Sequence, residues 1–370
     1  MRTTTTLSAL LASMLGIGCA PIGGGGPGRE RPDAGTTGGS AVDTSCDTSN
    51  ITVKSGDFDF TSGASLTALP SSCWQLSGTL TVDSSVTSLA KLGDLRGVQN
   101  LVIKSSGLTS IDTPSPLAVS GSVDIESNTK LTDLSNLSLP TDSACGTFLT
   151  SVTLSGNSAL TSMDGLNQVS CVIGATTISN NTKLETIDLS NAVRLEGGLT
   201  ISGNSAATTL ELTSLSSVTG DITISNNANL TNLGIWSALQ FMHGGITIDS
   251  NNSLTSLAGV ITATANGTIG TGIPVYGALT ITNNAKLADI GDFDHLSWAE
   301  SINISNNAAL TYCEARNVGC CVIDSAPSNV GMAAITDNAT NSCGGASSWC
   351  YAANGDHCHN DYTGYSGTIK

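Results

Sequence analysis

Short bursts of alternating apolar and polar residues recur along the chain. The plainest copy is Gly220-Asp221-Ile222-Thr223-Ile224-Ser225-Asn226-Asn227-Ala228-Asn229-Leu230-Thr231-Asn232-Leu233. Residues two apart on a strand share a face, so Ile222 and Ile224 point into a core and Thr223 points away from it. The second apolar residue of the burst returns at Val82, Ile103, Ile125, Leu154, Ile178, Ile201, Ile224, Ile248, Ile281 and Ile304, at intervals of 21, 22, 29, 24, 23, 23, 24, 33 and 23. A period near 23 residues over ten copies predicts a solenoid, in which one coil cannot bury its own inner face but stacked coils can. The two long intervals place insertions at about Leu139 to Phe148 and at Thr262 to Gly272, the second a Gly/Thr-rich loop.

Three positions around each burst carry further expectations. An Asn follows the second apolar residue by three places, at Asn128, Asn157, Asn181, Asn204, Asn227, Asn251, Asn284 and Asn307. Its side-chain amide can satisfy backbone groups where the chain leaves the strand, and stacked copies predict a structural Asn ladder. A Leu, as in Leu184, Leu230, Leu254, Leu287 and Leu310, plugs the next corner. A Gly at Gly78, Gly121, Gly174, Gly197, Gly220, Gly244 and Gly277 suits a sharp turn into the strand.

The strand followed by Asn resembles a leucine-rich repeat. With the Leu three residues after the Asn, it is more similar to the receptor L-domain type, which implies a right-handed parallel β-solenoid. Cys73-Trp74-Gln75-Leu76-Ser77-Gly78-Thr79-Leu80-Thr81-Val82 resembles the opening of that family. The expected fold class is therefore all-β, a receptor L-domain-like solenoid of about ten to twelve coils with disulfide-linked caps, over residues 46–345. In that family the fold binds proteins or sits in envelopes, so the resemblance implies no catalytic centre. Cys46 with Cys73 would cap the first coil. Cys313 with Cys343 would clasp the last one, where Ala334 to Asn338 looks like a degenerate repeat. Capping both ends would block edge-to-edge strand addition.

The N-terminus changes the picture of where this solenoid works. Arg2 precedes a short apolar stretch, and Leu15-Gly16-Ile17-Gly18-Cys19-Ala20 resembles a bacterial lipobox. Residues 1–18 are read as a signal peptide and Cys19 as the lipidation site; secretion without lipid is the alternative. Residues 19–45 are Gly/Pro-rich and almost free of apolar side chains, as a flexible tether would be. The expected location is the outer surface of a bacterial cell envelope, with the membrane a partner through the lipid anchor alone.

Setting Cys19 aside leaves an even ten of the 11 cysteines, which in an exported chain read as disulfide candidates. They are Cys46, Cys73, Cys145, Cys171, Cys313, Cys320, Cys321, Cys343, Cys350 and Cys358, and their pairing stays open at this point. Cys145 and Cys171 fall on successive coils. Residues 346–370 form a Cys-rich tail in which no Cys-x-x-Cys pair supports zinc. His357-Cys358-His359 is read as exposed tail, and no metal or cofactor is expected.

Charge excludes some partners. With 13 Lys+Arg against 29 Asp+Glu the net charge is −16, which argues against nucleic acid. Esterase, metalloprotease, phosphate-loop and calcium-loop motifs are absent from the sequence. Asp289, Asp292, Asp294 and His295 form the densest titratable group and are read as a solvated loop. The outward strand positions are Thr81, Val102, Asp124, Thr153, Thr177, Thr200, Thr223, Thr247, Thr280 and Asn303. Only Asp124 among them is acidic, which argues against a polysaccharide-cleaving carboxylate pair. The Thr run suits a solvated strand face, or a weak repetitive ligand such as glycan or ordered water. Trp236, Phe241, Tyr276, Phe293 and Trp298 cluster near the Thr262–Gly272 loop and are read as core packing, with a possible ligand patch as the alternative. The expected function is noncatalytic recognition or adhesion toward an extracellular protein or glycan. The alternatives are a structural envelope component and, more remotely, a polysaccharide-acting enzyme.

Overall fold

In a computed structural model, residues 50–67, 69–261, 273–291, 293, 296–315, 318 and 333–339 are described. The expected signal and tether, the Thr262–Gly272 insertion, Asp292, Asp294, His295 and the tail lie outside these residues. So do Cys46, Cys320, Cys321, Cys343, Cys350 and Cys358.

The alternating bursts form short strands that pair in parallel with their counterparts one repeat away, giving a β-solenoid of about ten turns. Thr177 lies opposite Thr200, Thr200 opposite Thr223, Thr223 opposite Thr247 and Thr247 opposite Thr280. Ile178, Ile201, Ile224, Ile248, Ile281 and Ile304 stack as one fully buried column. Each such side chain contributes roughly 1.5–3 kcal/mol by leaving water. The ten copies are flanked by two further rungs. Ala333–Thr336 pairs with Leu296–Ser305 at the C-terminal end, where the degenerate repeat was expected. Phe58–Phe60 pairs with Trp74–Val82 at the other end. This first rung, with Gly63 three places after Phe60, was not among the ten copies read from the sequence.

Two further lines of pairing run beside the principal one. A second line lies before the principal strand and includes Cys171–Val172, Arg194–Leu195, Ser217–Val218 and Phe241–Met242. The long strands Trp74–Val82, Leu95–Lys104, Ile273–Thr282 and Leu296–Ser305 run through both lines. A third line holds Thr186–Asp188 against Thr209–Glu211, with isolated bridges such as Ser256 to Asp289.

The Asn ladder is continuous. All eight predicted Asn side chains are fully buried. The Oδ1 of Asn227 accepts from the backbone N of Asn204 at 3.0 Å and from its Nδ2 at 3.3 Å. The Nδ2 of Asn227 donates to the Ile201 carbonyl at 3.0 Å and to Asn251 Oδ1 at 3.2 Å. The same arrangement runs from Asn128 to Asn307. Ser106 opens the ladder by donating through N and Oγ to Asn128 Oδ1. Asn338 extends it past the predicted copies, its Oδ1 accepting from Asn307 and its Nδ2 donating to the Ile304 carbonyl.

The residue before each ladder position is left-handed: Ser105, Ser127, Gly156, Asn180, Gly203, Asn226, Ser250, Asn283, Asn306 and Asp337 all have φ between 53° and 68°. Asn, Asp and Gly tolerate that region best. The repeated Asn-Asn doublet therefore has two jobs, the first Asn adopting the turn and the second supplying the amide.

The glycines before the strands differ from expectation. No left-handed φ occurs at Gly78, Gly121, Gly174, Gly197, Gly220, Gly244 or Gly277. They are there because the coils approach each other: a Cβ added to Gly220 would lie 2.6 Å from the backbone N of Gly198. Close packing rather than turn dihedral requires them.

The Leu139–Phe148 insertion is held down twice. Asp142 accepts backbone N–H bonds from Ala144 at 2.9 Å and Gly146 at 2.7 Å. Cys145 and Cys171 form a disulfide with Cα atoms 5.6 Å apart. Cys73 and Cys313 are also disulfide-bonded, to partners outside the described residues. Among the described residues no helix is long and apolar enough to cross a membrane.

Candidate functional site

The principal face is a field of hydroxyls. Thr153, Thr177, Thr200, Thr223, Thr247 and Thr280 form one half-buried column, and Ser155, Ser179, Ser202, Ser225, Asp249 and Thr282 form a second two residues on. Two neighbouring pairs in the second column bond to each other, Ser155 Oγ with Ser179 Oγ at 2.9 Å and Thr282 Oγ1 donating to Asp249 Oδ1 at 2.6 Å. Burial pushes the Asp249 carboxyl up, but hydrogen bonds from Thr282, Asn283 and Ser250 outweigh it and hold the carboxyl below its ordinary value. Toward the N-terminal end, Asp124 pairs with Lys104 at 2.7 Å, and Glu126 pairs with the same ammonium at 3.5 Å. The hydrogen bond from Lys104 to Asp124 outweighs desolvation and raises the Lys104 pKa.

The aromatic cluster divides. Trp236 and Phe293 are fully buried, in keeping with core packing, and are not ligand contacts. Trp236 donates its indole Nε1–H to the Leu233 carbonyl at 2.9 Å. Its place in the coil is one that Leu189 and Leu212 hold in earlier coils: a backbone N–H three residues on, from Ala192, Leu215 and Leu239 respectively, returns to each carbonyl. Phe293 likewise makes the N–H to Ile290 bond that Leu215 makes to Leu212. Both are large substitutes at core corners. Trp298 lies in the strand Leu296–Ser305, with its backbone opposite Pro274.

Phe241 and Tyr276 are exposed, at 39% and 50%, and the imidazole of His243 joins them. The Phe241 and His243 ring centroids are 4.4 Å apart, and those of His243 and Tyr276 are 4.6 Å apart. Phe241 and His243 flank the inward-facing Met242, which pairs with Val275. In-register pairing therefore sets Tyr276 beside His243. Sequence reasoning missed His243. The 33-residue interval from Ile248 to Ile281 also separates His243 from Tyr276 and would have found the pair.

No family model, curated protein or solved structure matches the chain. The site's chemistry therefore rests on its own residues. Flat rings exposed side by side can stack on apolar faces of a ligand. Among the described residues there is no group of three or more His, Cys, Asp or Glu side chains able to hold a metal ion. Asp289 serves its own turn, accepting from Gly291 N at 3.0 Å and from Ser256 Oγ at 3.1 Å.

Proposed function

We propose that this protein is a noncatalytic recognition module of the bacterial cell surface, a receptor L-domain-like solenoid exported by its N-terminal signal and anchored through a lipid on Cys19. The observation that carries the reading is the exposed Phe241–His243–Tyr276 cluster. The two preceding coils are polar at the equivalent places, with the Arg194–Glu196 ion pair and Thr219, and the coil before those exposes Ile173. Aromatic rings gathered and exposed at one place on a solvated face mark a contact site. The tether would let the solenoid reach a ligand away from the membrane.

The test is retention of the full, oxidised chain on intact cells and on a panel of immobilised glycans. Saturable retention removed by a soluble competitor supports recognition. Folded protein retained by neither surface overturns it in favour of an envelope component without a specific ligand. The continuous Asn ladder favours that second reading, because it supplies the stiffness such a component needs.

A further inference from the structure

Resting on the recognition reading, we infer that the ring cluster is a binding platform for a neutral sugar chain, one pyranose ring being held at a time. The platform has two columns on the outward side of the second pairing line. Phe241 and His243 lie on one coil, and Tyr276 lies beside His243 on the next. The three rings whose contacts are described make a continuous surface, with interplanar angles of 32° and 52°.

Size selects the class of ligand. Residues two apart on a strand are about 7 Å apart, and neighbouring strands are about 4.8 Å apart. Two columns over two coils thus span about 7 by 5 Å, the footprint of one sugar ring. A stable protein partner needs about 800 Å² from each side, several times this area.

Charge selects within the class. Arg194, on the same line of an earlier coil, is paired with Glu196 at 3.8 Å. The chain carries a net −16, so an acidic polysaccharide meets repulsion. A neutral pyranose has C–H faces that stack on rings, and hydroxyls that meet the imidazole of His243 and the phenol of Tyr276 at the same surface.

The test is calorimetry of the full, oxidised chain with cellohexaose, laminarihexaose and chitohexaose, and with polygalacturonate as the acidic comparison. Binding of at least one neutral hexasaccharide is expected. Tyr276→Ala and Phe241→Ala should each weaken it about tenfold, which corresponds to about 1.4 kcal/mol. Thr200→Ala, on the principal face, should leave it unchanged. Both aromatic side chains are exposed, so unchanged thermal melting will show that the variants fold. Retention on cells without binding of any neutral hexasaccharide overturns the inference and leaves recognition standing. Preference for polygalacturonate, or binding indifferent to Tyr276→Ala, also overturns it. Failure on cells and on every glycan overturns both.

Discussion

Replacing Asn227 tests whether the ladder holds the coils together. Asn227→Ala removes the acceptor of the Asn204 backbone N–H and a donor to the Ile201 carbonyl, both in a fully buried environment. Each buried group left without its partner costs about 1–3 kcal/mol, so the pair costs about 2–6 kcal/mol before any cavity is counted. Ser106→Ala is the comparison at the ladder's start. It removes a hydroxyl that donates to Asn128 Oδ1 and accepts from Leu108 N at 3.4 Å, while the Ser106 backbone N still reaches Asn128 Oδ1, and should cost about 1–3 kcal/mol. The assay is urea unfolding of the oxidised chain followed by circular dichroism. A cost for Asn227→Ala no greater than that for Ser106→Ala refutes the ladder's stabilising role.

Asn227→Asp sharpens the test, because it keeps the shape and changes only the donor. An ionised carboxylate there would face the Ile201 carbonyl and Asn251 Oδ1 with no proton to give. Burial and these acceptors favour the protonated acid, so its folded pKa rises above the ordinary value of about 3.9. The stability tied to that proton is then fully present below about pH 3.9 and is lost as pH rises through the folded pKa. The deficit of Asn227→Asp against the native chain should therefore be large at neutral pH and shrink at pH 3. A deficit independent of pH refutes the assignment of Nδ2 as a buried donor.

Other positions give quicker checks. Thr176 points inward between Val152 and Leu199, and its Oγ1 is buried without a hydrogen-bond partner; Thr176→Val should stabilise the chain by about 1–3 kcal/mol in urea unfolding. Ser127 has φ 59°, so Ser127→Gly should raise stability by about 0.5–1 kcal/mol in the same assay. Trp236→Ala should cost about 3–5 kcal/mol and lower the melting temperature, whereas Tyr276→Ala should change it little. The lowered Asp249 pKa means its contribution is present above the ordinary value of 3.8 and lost as pH falls through the folded pKa. Asp249→Asn should flatten that part of the acid limb of a stability-against-pH curve.

The difference between the legible and illegible parts of this fold is a difference in periodicity. The principal strands contribute two inward residues per coil, as Ile222 and Ile224 do, and two points at spacing two define a strand and its faces. The ladder Asn was readable because it keeps a fixed distance from them. The second line often contributes one inward residue per coil: Val172, Leu195, Val218 and Met242. A single apolar residue defines no period, so nothing in the local sequence says that Phe241 and His243 face outward together. The corner positions pose the same difficulty in reverse. Trp236 stands where Leu189 and Leu212 stand in other coils, and only alignment of the coils shows that a large aromatic there is a core residue. The exposed rings become visible as a site through the stacking itself. An unequal interval of 33 residues still brings His243 onto Tyr276, because register is kept by the strands and the Asn ladder, while the extra length is placed in the Thr262–Gly272 insertion between Ile261 and Ile273. Coil-to-coil register, rather than local composition, is therefore what assembles the proposed ligand platform from residues distant in sequence.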